Sequence, residues 1–412
     1  RDIKNITFEG FLSKKIRKPH KYGYKFVKSN HPSFVLFTSG TTGAPKGIIH
    51  STGGYILYSK YTCIEQFGMT KKSMVLTASD AGWINGHTYA LLGPLSIGAT
   101  TILLETPLSI LSKDLMKNTL NKFRVSILYL PVTLIRMIRA TTSGKKFTSK
   151  YLKTLGSMGE PLSSSVAKWF SKFYSTKKLQ IINTYFQTET GGIICSPKYS
   201  DDLKKVPYGT VGKPINKHLG VYLENKNFEK SEIKIKNLWP GILIGVINGV
   251  SYYKKYFDRY NSFKLFDYAS LDKNKNYLIH GRLDDVINIR GHRIGSGEIE
   301  SVLLKIKNLS ECGAIGVKDN LEGQVLVIFY TTSKKKILSE NINKELIKKF
   351  GTFAVPKDII QISEMPKTRS GKILRRLLRD IYESPNDLNY GDISTIINKK
   401  TVSEIKQILS RS

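Results

Sequence analysis

Short apolar runs alternate with amphipathic stretches along much of the chain. Phe34-Val35-Leu36-Phe37 predicts a buried strand, and it leads into a segment rich in Gly, Thr and Ser that predicts a loop. Met74 to Thr77, Thr101 to Leu104, Val125 to Leu130 and Leu179 to Ile182 predict further strands. Pro131 to Ala140 predicts a helix with proline in its first turn, where a missing N–H is harmless. The last of these strands ends at the polar run Asn183 to Thr190. This rhythm predicts an α/β domain with layered, mostly parallel sheets and helices. The pattern changes after Gly281: Gly297 to Lys307 and Ile342 to Phe350 predict helices, and Cys312 to Val317 and Gln324 to Tyr330 predict strands. A basic segment, Lys367 to Arg379, follows. The expected organisation is a large domain at 1–281, a junction at 282–285 and a small α+β domain at 286–412.

At 412 residues the chain can bury more than one core. Its three cysteines, Cys63, Cys195 and Cys312, are odd in number and widely spaced, which excludes a disulfide framework and a Cys-rich metal site. A reducing, cytoplasmic setting is expected. No run reaches 18 apolar residues, so no membrane span is predicted. Arg1-Asp2-Ile3-Lys4 opens no signal-peptide core and has no initiator Met, so the chain is expected to start inside a longer one.

Sixty-five Lys and Arg stand against 32 Asp and Glu, a net charge of +33. Such a charge raises the possibility of nucleic-acid binding. The basic residues are dispersed, as at Lys71-Lys72, Lys145-Lys146, Lys254-Lys255 and Lys334-Lys335-Lys336, and form no stripe interleaved with aromatics. Compositional bias is the favoured explanation, and the positive field would help draw in anionic substrates.

Thr38-Ser39-Gly40-Thr41-Thr42-Gly43-Ala44-Pro45-Lys46-Gly47 follows the first strand. Glycines and small hydroxyl residues allow backbone N–H groups and hydroxyls to wrap a phosphate chain, and Lys46 adds a cation. Gly47 after Lys46 excludes a Walker A loop.

This loop resembles the phosphate loop of the adenylate-forming superfamily of acyl-CoA synthetases, luciferases and adenylation domains. Four more blocks match in order: Gly159-Glu160-Pro161, Tyr185-Phe186-Gln187-Thr188-Glu189-Thr190-Gly191, Gly281-Arg282-Leu283-Asp284-Asp285 with Gly291-His292-Arg293, and Pro366-Lys367-Thr368-Arg369-Ser370-Gly371-Lys372. Ala78 to His87, His50 to Tyr55 and Gly391 to Thr395 are similar to segments of the short-chain members, the acetate and propionate ligases. The resemblance covers essentially the whole chain. It implies AMP-forming acid–thiol ligation, with ATP, Mg2+ and CoA as cofactors and a short-chain carboxylate as substrate.

The residue roles that follow are implied by the resemblance. Thr38, Ser39, Gly40, Thr41, Thr42, Gly43 and Lys46 would cradle phosphates. Gly159, Glu160 and Pro161 would contact adenine. Asn183, Thr184, Tyr185, Phe186, Gln187 and Thr188 would close over the nucleotide, and Glu189 would ligate magnesium. Asp267 would bind ribose, with Arg282 and Arg293 nearby. Lys372 would bridge the reacting carboxylate and phosphate, two anions whose repulsion a cation offsets. Asp284 would be the hinge of a mobile C-terminal lid; Asn85 and Arg290 would serve the cofactor site, the latter with Gly291 along the pantetheine path. Trp83, Ile84 and Phe186 would form the acyl pocket. His50, His87 and His292 have no partner at metal-ligand spacing and are expected to pack or hydrogen-bond. Lys372 is also an expected target of a lysine acetyltransferase and deacetylase.

Departures from the family pattern are part of the expectation. Only 37 residues precede Thr38, where relatives carry a long N-terminal subdomain. Phe266 stands where a Gly is usual before Asp267, Phe186 where short-chain ligases have Trp, Ile84 where they have Val, and Ile347 at a CoA-contacting Arg. Acetate is the expected acid and propionate the alternative. An adenylating enzyme serving a carrier protein, or a non-catalytic polyanion-binding fragment, are the other readings.

Overall fold

The structure is a computed structural model that describes residues 25–38, 46–80, 82–104, 113–141, 148–174, 179–201, 206–225, 230–247, 250–289, 292–319, 323–332, 337–367, 373–386, 396, 398 and 400–410. At its centre is a five-stranded parallel sheet in the order Thr100–Ile102, Met74–Thr77, Ile127–Pro131, Thr154–Met158, Gln180–Asn183. Strands covered on both faces read as continuous apolar runs, which is why these were legible. Successive side chains leave opposite faces. Ile127 and Tyr129 therefore join one core, with Phe67 of the helix Thr52–Phe67, while Leu128 and Leu130 join another beneath the helices Val132–Thr141 and Ser164–Phe173. Gly156 lets the strands meet this packing: a Cβ there would lie 2.3 Å from the Tyr129 ring. The carboxyl ends of the parallel strands, at Met158 and Asn183, open toward the motifs singled out above, the usual place for a ligand crevice in such a sheet.

The strand around Phe34–Phe37 does not belong to this sheet. Pro32–Thr38 pairs antiparallel with Lys46–Ser51, which pairs antiparallel with Gly245–Ile247. Thr38 lies opposite Lys46, with seven residues of sequence between them. A parallel crossover would need a dozen or more residues. A four-stranded antiparallel sheet, Val221–Leu223, Ser231–Ile235, Phe263–Leu271 and Tyr277–Arg282, was also not predicted. Its strand Phe263–Leu271 alternates buried and half-buried positions along FKLFDYASL, a period of two that was there to be read. Pro131 closes a strand, and the helix begins at Val132.

C-terminal to Gly281, the hairpin Val286–Ile289/His292–Gly295 precedes a three-stranded sheet. Leu309–Asp319 and Gly323–Thr332 run antiparallel, and Asp358–Gln361 joins parallel. Helices Ser296–Leu303 and Ser339–Phe350 cover one face, packing on Ala314, Leu326 and Ile328. Arg375–Glu383 and Lys400–Leu409 cover the other, packing on Ile315, Val325 and Val327. This is the small α+β unit expected. Its first helix stops at Leu303 rather than Lys307, and the chain turns through Asn308 at φ 71°. Among the described residues no helix is long and apolar enough to cross a membrane.

Candidate active site

Residues 187–192 form a tight turn whose carbonyls are nearly all claimed by neighbouring elements. Thr190 donates through Oγ1 to the carbonyls of Gln187 and Gly192, both at 2.9 Å. His50 Nε2 donates to Thr188 O at 2.8 Å, Leu243 N to Glu189 O at 2.9 Å and Trp239 Nε1 to Thr190 O at 2.9 Å. Thr88 Oγ1, itself the acceptor of the Tyr55 hydroxyl, donates to Gly191 O at 3.1 Å. Gly191 has φ 69°, and a Cβ on it would sit 2.1 Å from Gly241 O, so only glycine fits.

His50 is fully buried. Burial outweighs the backbone bonds to Thr188 and Gly241 and lowers its pKa to about 4, so the ring is neutral and its Nε2 carries the proton.

The side chains of this stretch go to three places. Tyr185 and Gln187 reach Asp267: the Tyr185 hydroxyl and Gln187 Nε2 both donate to Oδ2 at 2.6 Å. Arg282 Nε lies 3.7 Å from Asp267 Oδ1, from the position opposite in the neighbouring strand. Burial, with Asp267 alongside, pushes the Tyr185 phenol far above its ordinary range and keeps it a donor. Phe266, before Asp267, sits at φ 53° beside a register shift in the pairing with Ser231–Ile235. The left-handed turn that a glycine would make freely is thus made by phenylalanine, at a cost of about 1–2 kcal/mol.

Phe186 goes the second way, into an apolar cluster with Ile84, Tyr55 and Leu36. Tyr89 meets its ring edge-on, 5.5 Å between centroids. Phe34 borders the cluster, stacked on His87 at 4.7 Å and edge-on to Tyr55 at 4.9 Å. Trp83 is half-buried next to Ile84.

Glu189 goes the third way, accepting through Oε1 from the Tyr256 hydroxyl at 2.7 Å. Nothing in the sequence marked Tyr256, Trp239 or Thr88. They lie 67, 49 and 103 residues from the positions they contact, and only the fold brings them in. Among the described residues no group of three or more His, Cys, Asp or Glu could hold a metal. A lone half-exposed carboxylate still fits magnesium, which takes one or two protein carboxylates and completes its shell with phosphate and water.

Other predicted residues have their polar groups engaged within the protein. Asn183 accepts from Ser157 Oγ at 2.9 Å and donates to Thr210 O at 2.8 Å. Thr184 donates to Ser157 O at 2.9 Å. Asn85 Oδ1 accepts from Ser79 Oγ at 2.6 Å and from Gly86 N at 3.0 Å, capping the helical turn that follows. Glu160 accepts from Thr133 at 3.0 Å and pairs with Arg136 at 3.0 Å; Gly159 beside it has φ 88°. Pro161 O is 3.5 Å from Arg136 Nη2. Thr38 and Lys46 are cross-strand partners. Ser39, Gly40, Thr41, Thr42, Gly43, Arg290 and Lys372, and the side chains of Asp284 and Arg293, lie outside the described residues.

The residues flanking the Lys372 segment are tied to one another and to the sheet beside them. Lys367 bridges to Ile373, Leu374 N donates to Pro366 O at 2.9 Å, and Lys367 pairs with Glu311. Arg375 grips Glu300 with two bonds, at 2.7 and 2.6 Å, and lies 3.8 Å from Asp285. Glu298, on the first C-terminal helix, pairs with Lys230 through both oxygens at 2.7 Å and lies 3.4 Å from His280 Nδ1. Burial alone would raise the Glu298 pKa; the bonds to His280 and Lys230 prevail and hold it at about 2.

A family profile described as "AMP-binding enzyme" matches residues 7–233, more than half of the chain. The chain belongs to the AMP-binding enzyme family. A second profile, "AMP-binding enzyme C-terminal domain", matches residues 298–372. This AMP-binding enzyme is 35% identical over 415 residues to acetyl-coenzyme A synthetase 1 of Candida albicans, covering 94% of this chain and 60% of that protein. It is 36% identical to acetyl-coenzyme A synthetase 1 of Debaryomyces hansenii, again covering 94% and 60%. With acetyl-coenzyme A synthetase of Methylorubrum populi it shares 35%, covering 92% and 60%. The chain thus spans about 60% of the length of these curated relatives. The fold matches the anthranilate CoA ligase AuaEII in complex with anthranoyl-AMP, at a TM-score of 0.73 and 20% identity over 85% of this chain and 67% of that one. It also matches the o-succinylbenzoate CoA synthetase MenE of Bacillus subtilis with its acyl-adenylate, at 0.73 and 20% over 89% and 71%. The adenylate-forming fold expected from the motifs is therefore the fold of this AMP-binding enzyme.

Proposed function

We propose that this chain carries the adenylating centre and C-terminal lid of an acetate–CoA ligase. A carboxylate oxygen of acetate attacks the α-phosphorus of ATP, the bond to the β-phosphate oxygen breaks, and acetyl-adenylate and diphosphate form. The CoA thiol then attacks the acyl carbon, releasing AMP and giving acetyl-CoA. ATP, Mg2+ and CoA are the implied cofactors. One observation carries the reading: the stretch 185–189, leading into a clamped turn, sends Tyr185 and Gln187 to Asp267, Phe186 into an apolar cluster and the half-exposed Glu189 to Tyr256. A carboxylate already gathering donors suits ribose hydroxyls, an apolar cluster suits a short acyl chain, and a half-exposed carboxylate suits a cation between phosphates. The likeness to acetyl-coenzyme A synthetases supports acetate over longer acids, while Phe186 and Ile84, which replace Trp and Val of the short-chain pattern, leave propionate as the alternative.

In this reading residues 1–281 form the large domain, 282–285 the hinge about Asp284 and 286–412 the lid. Thr38 to Lys46 hold phosphates, Gly159 to Pro161 face adenine, and Arg282 and Arg293 attend the nucleotide. Trp83 and Ile84 line the acyl side. Bound magnesium would supply positive charge between the phosphates. Lys372 offsets the repulsion of the two reacting anions, and Arg290 with Asn85 serves the cofactor path in the second step. Acetylation of Lys372 by an acetyltransferase would remove its charge and a deacetylase would restore it. The cytoplasm fits the buried free thiols of Cys63, Cys195 and Cys312.

The test is acetate-dependent exchange of labelled diphosphate into ATP, in a protein that spans the full length of the relatives. Exchange with acetate, abolished in Lys372→Ala while CoA still attacks supplied acetyl-adenylate, is the expected result. No exchange with acetate or propionate, or equal loss of both half-reactions in Lys372→Ala, overturns the reading.

A further inference from the structure

Among the described residues the Glu189 carboxylate is held at one oxygen, Oε1, by the Tyr256 hydroxyl, and that tyrosine is fixed from several sides. Tyr256 follows the helix Val250–Lys255 and is 5% exposed. Its ring lies parallel to Phe263, with centroids 5.5 Å apart and an interplanar angle of 8°, and meets Phe266 edge-on at 6.0 Å. Its carbonyl accepts from Lys264 N at 2.7 Å. The hydroxyl donates to Glu189 Oε1, while the Glu189 backbone is anchored through Leu243 N.

We propose that Tyr256 is a positioning residue for the divalent cation of the nucleotide: it occupies Glu189 Oε1 and leaves Oε2 as a single, oriented oxygen ligand. The proposal rests on the reading of Glu189 as the magnesium ligand. An unrestrained glutamate can turn its carboxylate and offer both oxygens. Magnesium needs near-octahedral geometry at about 2.0–2.1 Å and is served by one oxygen per carboxylate; calcium accepts bidentate, looser arrangements. A donor fixed on one oxygen therefore favours magnesium. Partners that orient a metal ligand typically change metal affinity by about 10–100-fold when removed. Phe263 and Phe266 hold the ring whether or not it carries the hydroxyl, so Tyr256→Phe removes the hydrogen bond and little else.

The experiment titrates α,β-methylene-ATP by calorimetry into a protein that spans the full length of the relatives, in EDTA and at stepped MgCl2 or CaCl2, for the wild type, Tyr256→Phe and Glu189→Gln. The expected result has three parts. Magnesium tightens nucleotide binding in the wild type. Tyr256→Phe needs about tenfold more magnesium for the same tightening and loses preference for magnesium over calcium. Its affinity in EDTA equals that of the wild type, which a merely structural defect would not leave intact. If Glu189→Gln abolishes the magnesium effect but Tyr256→Phe behaves as wild type, the positioning role is overturned and the Glu189 reading stands. If Tyr256→Phe weakens binding equally in EDTA, the residue is structural and the proposal is likewise overturned. If magnesium has no effect on the wild type, or Glu189→Gln keeps it, the Glu189 reading fails and the inference falls with it.

Discussion

The turn at 187–192 and the Glu298 junction are both held by polar contacts, but of opposite kinds. The turn is clamped by neutral groups: an imidazole, an indole, hydroxyls and a backbone amide meet its carbonyls, mostly away from water. At the junction a carboxylate meets an ammonium and a histidine, with Lys230 and Glu298 each still about a quarter exposed. Neutral bonds in a dry site are insensitive to salt but leave a costly orphan when one partner is removed. A partly exposed ion pair tolerates loss of a partner more easily, and it weakens with salt and acid. A site that must hold several substrate-facing side chains in register is better served by the first kind, and contact between two units by the second.

The comparison can be broken most severely at Gly191. Gly191→Ala adds a Cβ 2.1 Å from Gly241 O at a left-handed φ, so the turn must move. Stability should fall by about 3 kcal/mol or more, and nucleotide affinity should fall with it; an unchanged urea midpoint would show that the turn yields cheaply.

His50 sharpens the contrast through pH. The folded pKa is depressed to about 4 from 6.5, so the unfolded chain takes up a proton that the folded one refuses across that window. The stabilisation from keeping this ring neutral is complete above about pH 6.5 and is lost as pH falls toward 4, on the order of 3 kcal/mol in all. His50→Gln keeps a donor for Thr188 and should flatten that part of the stability–pH curve, read by thermal melts from pH 7 to 4. An acid limb as steep as the wild type's would mean another group is responsible.

At the junction, Glu298→Gln should cost about 1–3 kcal/mol at low salt and less at high salt. The Glu298 pKa is depressed in the folded state, so its contribution is present above about pH 4.5 and fades toward pH 2, below the His50 window. A salt-independent loss would place this contact with the neutral clamp.

The smallest effect is expected at Phe266. Phe266→Asn relieves about 1 kcal/mol of left-handed strain but gives up ring packing on Tyr256, so the net change should lie within about 1 kcal/mol. A loss of several kcal/mol would show that the ring, not the turn, is what the position requires.

What the sequence by itself determined was the family, the parallel sheet and the residues of the clamped turn. Continuous apolar strands report burial on both faces, and ordered motifs report chemistry, because both are written in contiguous residues. It also flagged Phe266 as a break in a glycine pattern, but not that the backbone keeps its left-handed turn there. Only tertiary structure decided that Pro32–Thr38 pairs antiparallel, that Tyr256 reaches Glu189 across 67 residues, and that His50 holds Thr188 across 138. Such pairings depend on loop closure and on which faces are left to bury once the sheets have formed, and no window of local sequence contains either.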